Sequence, residues 1–529
     1  MHVAEAYQRL FGIDRPYTHQ ARLFEAARQG AFPLLLRAPC GTGKTQAAAA
    51  PWLSQFLDGD FILPPRLIYV LPTQALCNQI AQRLAESARA AHGRLVARVQ
   101  HGAAPNDAML FADIAVTTLD HFVYAYARSS SQVRGHIDLP AGCMAHALVV
   151  FDEAHLYQSG FTFSVMRAML EILNAAGVPF IVMTATMPRS LRESFGERLD
   201  FTEVEFGGEA MEREIELHRC LDRPLLHDGA LDAQAQEAIA AARRTLIVVN
   251  TVASAQEVYR LLDGPAREDV ALIHSRYTVA DRARHEAGAI ALLRSEGIVV
   301  STQVCEAGLD VSADLLITEM APADSIIQRA GRCARLNHGH PKGTVLVYCP
   351  AGHPYAPEHM AATESYLREH ADLDLADWQA TCDFADQMPY VADDIAARDS
   401  LFDLYEATLY ADHRPCLLAV REGKYLFAWH GDVEALGKPP DEAAEAFRAG
   451  QITLAFETAL GLGYHKASGD EAEREGVFAR KSNGYQEVRY NRKDRAWKLH
   501  RMGNLLPLST YLLREECYDA ELGVVGDGD

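Results

Sequence analysis

The chain reads as α/β: two tandem lobes, each a parallel sheet flanked by helices, followed by a smaller C-terminal domain. Three observations predict this. Short, almost continuous apolar runs alternate with helical patterns from about residue 31 to 207. The same alternation restarts near residue 245 and continues to about 350. Beyond Pro350 it fades into an acidic, helical composition. Strands buried on both faces lose the polar half of their alternation, and strand–helix alternation is the pattern of parallel sheets.

In the first lobe (31–207) the predicted strands are Leu34–Leu36, Arg66–Leu71, Ile114–Val116, Ala147–Phe151 and Phe180–Met183. A polar stretch, Gly207 to Arg213 and then Cys220 to Asp232, leads into the second lobe (208–350). Its predicted strands are Thr245–Val249, Val270–Ile273, Gly297–Val300, Leu315–Ile317 and Thr344–Val347. Residues 1–30 form an N-terminal helical segment, and 351–529 an accessory domain. At 529 residues the chain needs more than one core.

Composition narrows the class. Apolar residues make up 49% and charged residues 23%, as in globular chains. Fifty basic residues against 71 acidic ones give a net charge of −21. That sign argues against nonspecific coating of duplex nucleic acid and leaves room for a local basic track. Ten scattered cysteines without a CxxC pair indicate neither a zinc site nor a disulfide framework. With no secretory signal and no apolar run of about 18 residues, the expectation is a soluble, cytoplasmic protein without a membrane partner.

The most informative stretch is Ala38-Pro39-Cys40-Gly41-Thr42-Gly43-Lys44-Thr45. It follows a strand and opens a helix, the context of a phosphate-binding loop, although Ala38 stands where the first glycine is usual. Gly41 and Gly43 let backbone N–H groups turn inward around an anion, and the helix N-terminus favours negative charge. Lys44 can reach the β- and γ-phosphates of ATP, and the Thr45 hydroxyl can ligate Mg²⁺. Upstream, the Gln20 amide could read adenine or simply be a surface side chain.

Asp152-Glu153-Ala154-His155 follows the strand ending at Phe151. Asp152 can hold Mg²⁺ through its water shell, and Glu153 can polarise the water that attacks the γ-phosphate. His155 can relay contact to the other lobe. Thr184 and Thr186 end the next strand and could couple this site to nucleic acid; a Thr-rich strand end is the plainer reading. Gln328-Arg329-Ala330-Gly331-Arg332-Cys333-Ala334-Arg335 is expected to begin a helix, with Arg332 and Arg335 on one face. Two guanidiniums delivered across a cleft suit the charge developing on a γ-phosphate. Gly308 and Asp310 could approach the ribose.

Several strand ends could line a phosphodiester backbone: Pro72, Thr73 and Gln74; Thr117 and Thr118; Asn250 and Thr251; His274 and Arg276; Thr302 and Gln303. Taken singly, helix capping or another structural role explains each as well. Near the end, Arg480, Lys481, Arg489, Arg492, Lys493, Arg495, Lys498 and Arg501 interleave with Tyr485, Tyr490 and Trp497. That mixture suits a single strand, or a twisted edge hairpin with solvated charges.

Together these motifs resemble superfamily-two helicases of the DEAH-box type, whose fold is two RecA-like lobes. Three stretches are similar to the CRISPR-associated helicase-nuclease of type I interference (the Cas-three family): His274–Tyr277 with Asp281-Arg282, Ser301–Val311, and Ala321–Arg332. The resemblance covers about residues 15 to 350. It implies ATP-driven travel on single-stranded DNA with Mg²⁺, after recruitment to an R-loop opened by a guide-RNA surveillance complex. It also implies ATP-site roles for Cys40 to Thr45 and Gln328. Most members carry an HD-type nuclease domain. Only some thirty residues precede the first strand here, and His227-Asp228 lacks the spaced ligands of a metal pair. The expectation is a helicase-only form with the nuclease on another polypeptide. An RNA helicase or remodeller, the motor of a restriction system, and a non-catalytic ATP-dependent scaffold are the alternatives.

Overall fold

The computed structural model describes residues 1–101, 108–127, 138–157, 160–208, 213–306, 311–335, 341–389, 399, 401, 425–455, 485–491, 493–494, 496–500, 510–513 and 515–525.

The first lobe is built on seven parallel strands: β1 (Leu34–Arg37), β2 (Arg66–Leu71), β3 (Ala97–Gln100), β4 (Ile114–Thr118), β5 (Ala147–Phe151), β6 (Phe180–Thr184) and β7 (Thr202–Glu205). Their order across the sheet is β3-β4-β2-β5-β6-β1-β7. Alternation explains the apolar runs. Leu34, Leu36, Leu67, Tyr69, Leu148 and Val150 face one helical layer, whereas Leu35, Ile68, Val70, Val149 and Phe151 face the other. Edge strands β3 and β7 escaped the sequence reading. They are short and half exposed, so polar residues interrupt them.

Strands β8 (Glu214–Pro224), β11 (Arg244–Val248), β12 (Val270–Ile273), β13 (Gly297–Ser301), β14 (Leu315–Glu319) and β15 (Lys342–Cys349) form the second parallel sheet, in the order β12-β13-β11-β14-β15-β8. β9 (Leu226–His227) and β10 (Ala230–Leu231) are a small ribbon beside it. Residues from Cys220 on were expected to be a polar connection. Cys220 to Pro224 instead belong to β8, an edge strand whose exposed face carries the polar residues.

Helices Pro357–Glu369 and Trp378–Ala385 follow, as their composition predicted. Met360 and Leu367 of the first and Phe384 of the second join the second lobe's core, as does Met388 just beyond them. The same segment reaches back to the first lobe. Asp386 accepts the Arg189 N–H at 2.7 Å, and Trp378 meets Phe206 edge-on.

Five strands make the last sheet: β16 (Tyr425–Trp429), β17 (Gln451–Ala455), β18 (Tyr485–Asn491), β19 (Ala496–His500) and β20 (Thr510–Leu513), ordered β17-β16-β20-β18-β19. The basic, aromatic stretch is therefore an antiparallel hairpin, β18–β19, at the sheet's edge. Arg480, Lys481, Arg492, Arg495 and Arg501 lie outside the described residues.

Residues 515–525, with β21 (Tyr518–Asp519) and β22 (Gly523–Val524), strap this sheet onto the second lobe. The Tyr518 hydroxyl donates to Asp281, and Gln256 donates to the Leu522 and Val524 carbonyls. His274, Tyr277 and His285 stack beneath it, with adjacent ring centroids 4.3 Å apart.

Candidate nucleotide site at the lobe interface

The loop after β1 turns tightly into helix Lys44–Asp58 because Gly41 and Gly43 adopt left-handed backbone angles, φ 85° and 78°. At Gly43 a Cβ would also crowd the Gln20 side chain, lying 2.4 Å from its amide nitrogen. Lys44 is buried, and its Nζ donates to the Ala38 and Pro39 carbonyls at 3.2 and 3.4 Å. Thr42 closes the turn by donating to the Pro39 carbonyl at 2.8 Å. Burial works against the Lys44 charge, but Cys40, Glu153 and Asp152 outweigh it and hold its pKa above the ordinary value.

Gln20 is not a surface residue. Its Oε1 accepts the Tyr17 N–H at 2.9 Å, and its Nε2 donates to the Gly43 carbonyl at 3.2 Å. The amide that could read adenine is engaged with protein at both ends and braces the loop from behind.

β5 delivers Asp152 and Glu153 to the mouth of this loop. Glu153 adopts φ 54°, an uncommon backbone for a residue with a side chain. Asp152 Oδ1 accepts the Glu153 N–H at 2.8 Å, and Oδ2 accepts the Tyr69 hydroxyl at 2.7 Å. Burial and the Glu153 charge push the Asp152 carboxyl up to about 7, with Lys44 pulling it back. Tyr69 is fully buried on β2. Nothing in the sequence reading singled out Tyr69. Its signal was a phenol inside an otherwise aliphatic strand, because a buried hydroxyl requires a partner.

The second lobe supplies the opposite wall. A cavity of about 150 Å³ is lined by Lys44, Thr45, Asp152 and Glu153 on one side and by Arg332 and Arg335 on the other. Arg335 Nε lies 3.6 Å from where a Cβ on Gly41 would sit. Two larger grooves, of about 710 and 790 Å³, lie elsewhere and touch none of these residues. The two arginines reach the cavity by a route the sequence did not suggest. Helix Ala323–Ala330 ends before them, so Gln328 sits in its last turn and the arginines share no helix face. Arg332 instead lies in the following turn, donating to the Cys305 and Glu306 carbonyls at 3.1 and 2.6 Å. Arg335 is anchored through its N–H to the Ser312 hydroxyl at 2.9 Å.

Gln328 spans the interface: Nε2 donates to the Thr186 hydroxyl at 3.3 Å, and Oε1 accepts from Cys40 Sγ at 3.4 Å. Thr184 donates to the Thr186 carbonyl at 2.5 Å and so fixes that loop. Arg329, overlooked in the sequence, is fully buried. It pairs with Glu306 at 2.8 Å and donates to Thr318, the Glu319 carbonyl, Asn250 and Tyr355.

The strand ends expected to face nucleic acid divide into two groups. Thr117, Asn250 and His274 turn inward, because buried strand ends need polar partners. Thr117 donates to the Gln100 carbonyl, Asn250 to the Met320 carbonyl, and His274 Nε2 lies 2.9 Å from the Leu522 carbonyl under the strap. Thr118 and Thr302 are buried too. Thr73 and Thr251 cap the helices that follow them. Gln74 is exposed, and Pro72, Arg276 and Gln303 are half-buried, with Gln303 donating to the Asn250 carbonyl. Gly308, Asp310 and the His155 side chain lie outside the described residues.

Among the described residues no group of three or more His, Cys, Asp or Glu could hold a metal ion, and no helix is long and apolar enough to cross a membrane. His227 and Asp228 are exposed, with Nδ1 and Oδ1 3.5 Å apart.

Residues 17–194 match the DEAD/DEAH box helicase family, and residues 241–338 match the C-terminal family of the CRISPR-associated nuclease/helicase Cas3. A CRISPR-associated helicase Cas3 of Thermoproteus tenax is 30% identical over 371 residues, covering 66% of this chain and 62% of the relative. The crystal structure of T. fusca Cas3 with ATP superposes with a TM-score of 0.64 at 20% identity, covering 98% of this chain and 71% of that one. A chain of a CRISPR RNA-guided surveillance complex, pre-nicking, superposes at 0.59 and 20% identity, over 96% of this chain and 70% of that one. The two lobes carry the RecA-like fold, and the chain is similar to the Cas3-type DEAD/DEAH-box helicases.

Proposed function

We propose that this chain is an ATP-hydrolysing helicase motor that moves along single-stranded DNA in CRISPR interference. One observation carries the reading: the phosphate loop, the Asp-Glu pair and two arginines from the other lobe line a single cavity. Lys44 and the loop N–H groups bind the β- and γ-phosphates. Thr45 and Asp152, hard oxygen donors on adjoining elements, fit a magnesium ion carried in by the triphosphate. That ion would supply charge neutralisation on the phosphates. Glu153 orients and takes a proton from the attacking water. Arg332 and Arg335 stabilise the charge developing on the transferred phosphoryl group. Because catalytic groups come from both lobes, turnover requires the cleft to shut, and each shutting moves the strand-facing loops.

Cas3 relatives and the fold shared with a surveillance-complex chain support recruitment to an R-loop opened by a guide-RNA complex. We assign the nuclease to a separate HD-type polypeptide. Steady-state ATPase with single-stranded DNA, duplex DNA and RNA tests the reading. Stimulation by single-stranded DNA above the other two supports it; RNA as the stronger activator would replace it with the RNA-helicase alternative.

A further inference from the structure

Thr45 and Asp152 sit on different elements, the helix after the phosphate loop and the end of β5. Tyr69 holds the second of them. Its hydroxyl donates to Asp152 Oδ2 at 2.7 Å, from a ring with no solvent exposure on β2, between β4 and β5. Neighbouring strand positions facing the same layer are aliphatic: Leu67, Leu71, Val116 and Val150. A phenylalanine would satisfy that packing. The hydroxyl is therefore explained by the carboxylate oxygen it touches, and that carboxylate is assigned to the magnesium of bound nucleotide.

We propose that Tyr69 is a positioning residue that fixes the Asp152 carboxylate for the divalent cation of the nucleotide. It acts through that side chain and touches neither phosphate nor water itself. The proposal rests on the ATP-site reading above. Without the Tyr69 hydroxyl, a buried Asp152 oxygen loses its donor. The carboxylate then relaxes, and the cation's contribution to nucleotide binding falls. Nucleotide held by Lys44 and the loop alone is unaffected.

The test is Tyr69→Phe in the full chain, with a fluorescent non-hydrolysable ATP analogue titrated in excess Mg²⁺ and again in EDTA. The expected result is an affinity in EDTA within about twofold of wild type, together with a Mg²⁺-dependent gain in affinity reduced about tenfold. The EDTA arm also reports that the variant is folded. An unchanged Mg²⁺ gain overturns the proposal, and so does an equal loss in both arms, which would make Tyr69 a purely structural residue. Lys44→Ala separates the two levels, because it should weaken binding in both arms. Wild-type protein that binds no nucleotide, or gains nothing from Mg²⁺, would sink the ATP-site reading and this inference with it.

Discussion

Gln328 of the second lobe donates to the Thr186 hydroxyl of the first at 3.3 Å, and the same amide accepts from Cys40 in the phosphate loop. The loop, the strand end after β6 and the helix before the two arginines are thus linked by one side chain. Gln328→Ala should leave nucleotide affinity within about threefold. It should lower DNA-stimulated turnover roughly ten- to a hundredfold, the range of a coupling free energy of a few kcal/mol. ATPase measured with and without single-stranded DNA checks this; retention of full stimulation would show that the contact transmits nothing.

Arg329 makes the opposite kind of prediction, one about stability. Its guanidinium is buried against Glu306 and four further acceptors. Removing it leaves Glu306 charged, buried and uncompensated. Arg329→Ala should destabilise the second lobe by about 3–5 kcal/mol. Denaturant unfolding followed by a probe in that lobe measures it, and a loss below about 1 kcal/mol would mean that the network is dispensable.

The strap over the second lobe should respond to acid. Burial, with Arg276, His285 and Arg282 nearby, drives the His274 imidazole down to about 3 from an ordinary value of 6.5. Docked, the ring stays neutral; released, it takes a proton below 6.5. The released form therefore binds more protons, and docking is fully present above pH 6.5 and weakens as pH falls toward 3. Docking is therefore weaker at pH 5 than at pH 8. Hydrogen exchange in residues 515–525, corrected for intrinsic rates, should show more frequent opening at pH 5 than at pH 8. Gly523→Ala should produce the same opening at pH 8, because a Cβ there would lie 2.6 Å from the Arg276 carbonyl at a φ of 75°. A pH-independent opening rate would contradict this account of His274.

What was legible in the sequence follows the physics of each element. Central strands such as Ala147–Phe151 are apolar on both faces and announce themselves; β3, β7 and β8 are edges with one wet face and do not. The loop residues Gly41 to Thr45 and the Asp152-Glu153 pair were readable because phosphate chemistry fixes local spacing. Arg332 and Arg335 were readable as residue types but not as geometry. Their positions depend on where helix Ala323–Ala330 stops, a tertiary matter decided by Arg332 bonding to the Cys305 and Glu306 carbonyls. Tyr69, Arg329 and the strap depend on partners distant in sequence, such as Asp281 with Tyr518, and no local pattern encodes those pairings.

The composite cavity is tested most directly by the turnover of Arg335→Ala on single-stranded DNA at saturating ATP and Mg²⁺. The arrangement predicts that kcat falls about a thousandfold or more, as for loss of an arginine acting across a cleft, while the ATP analogue still binds. Turnover within a few-fold of wild type would mean that the two lobes do not complete one another's chemistry.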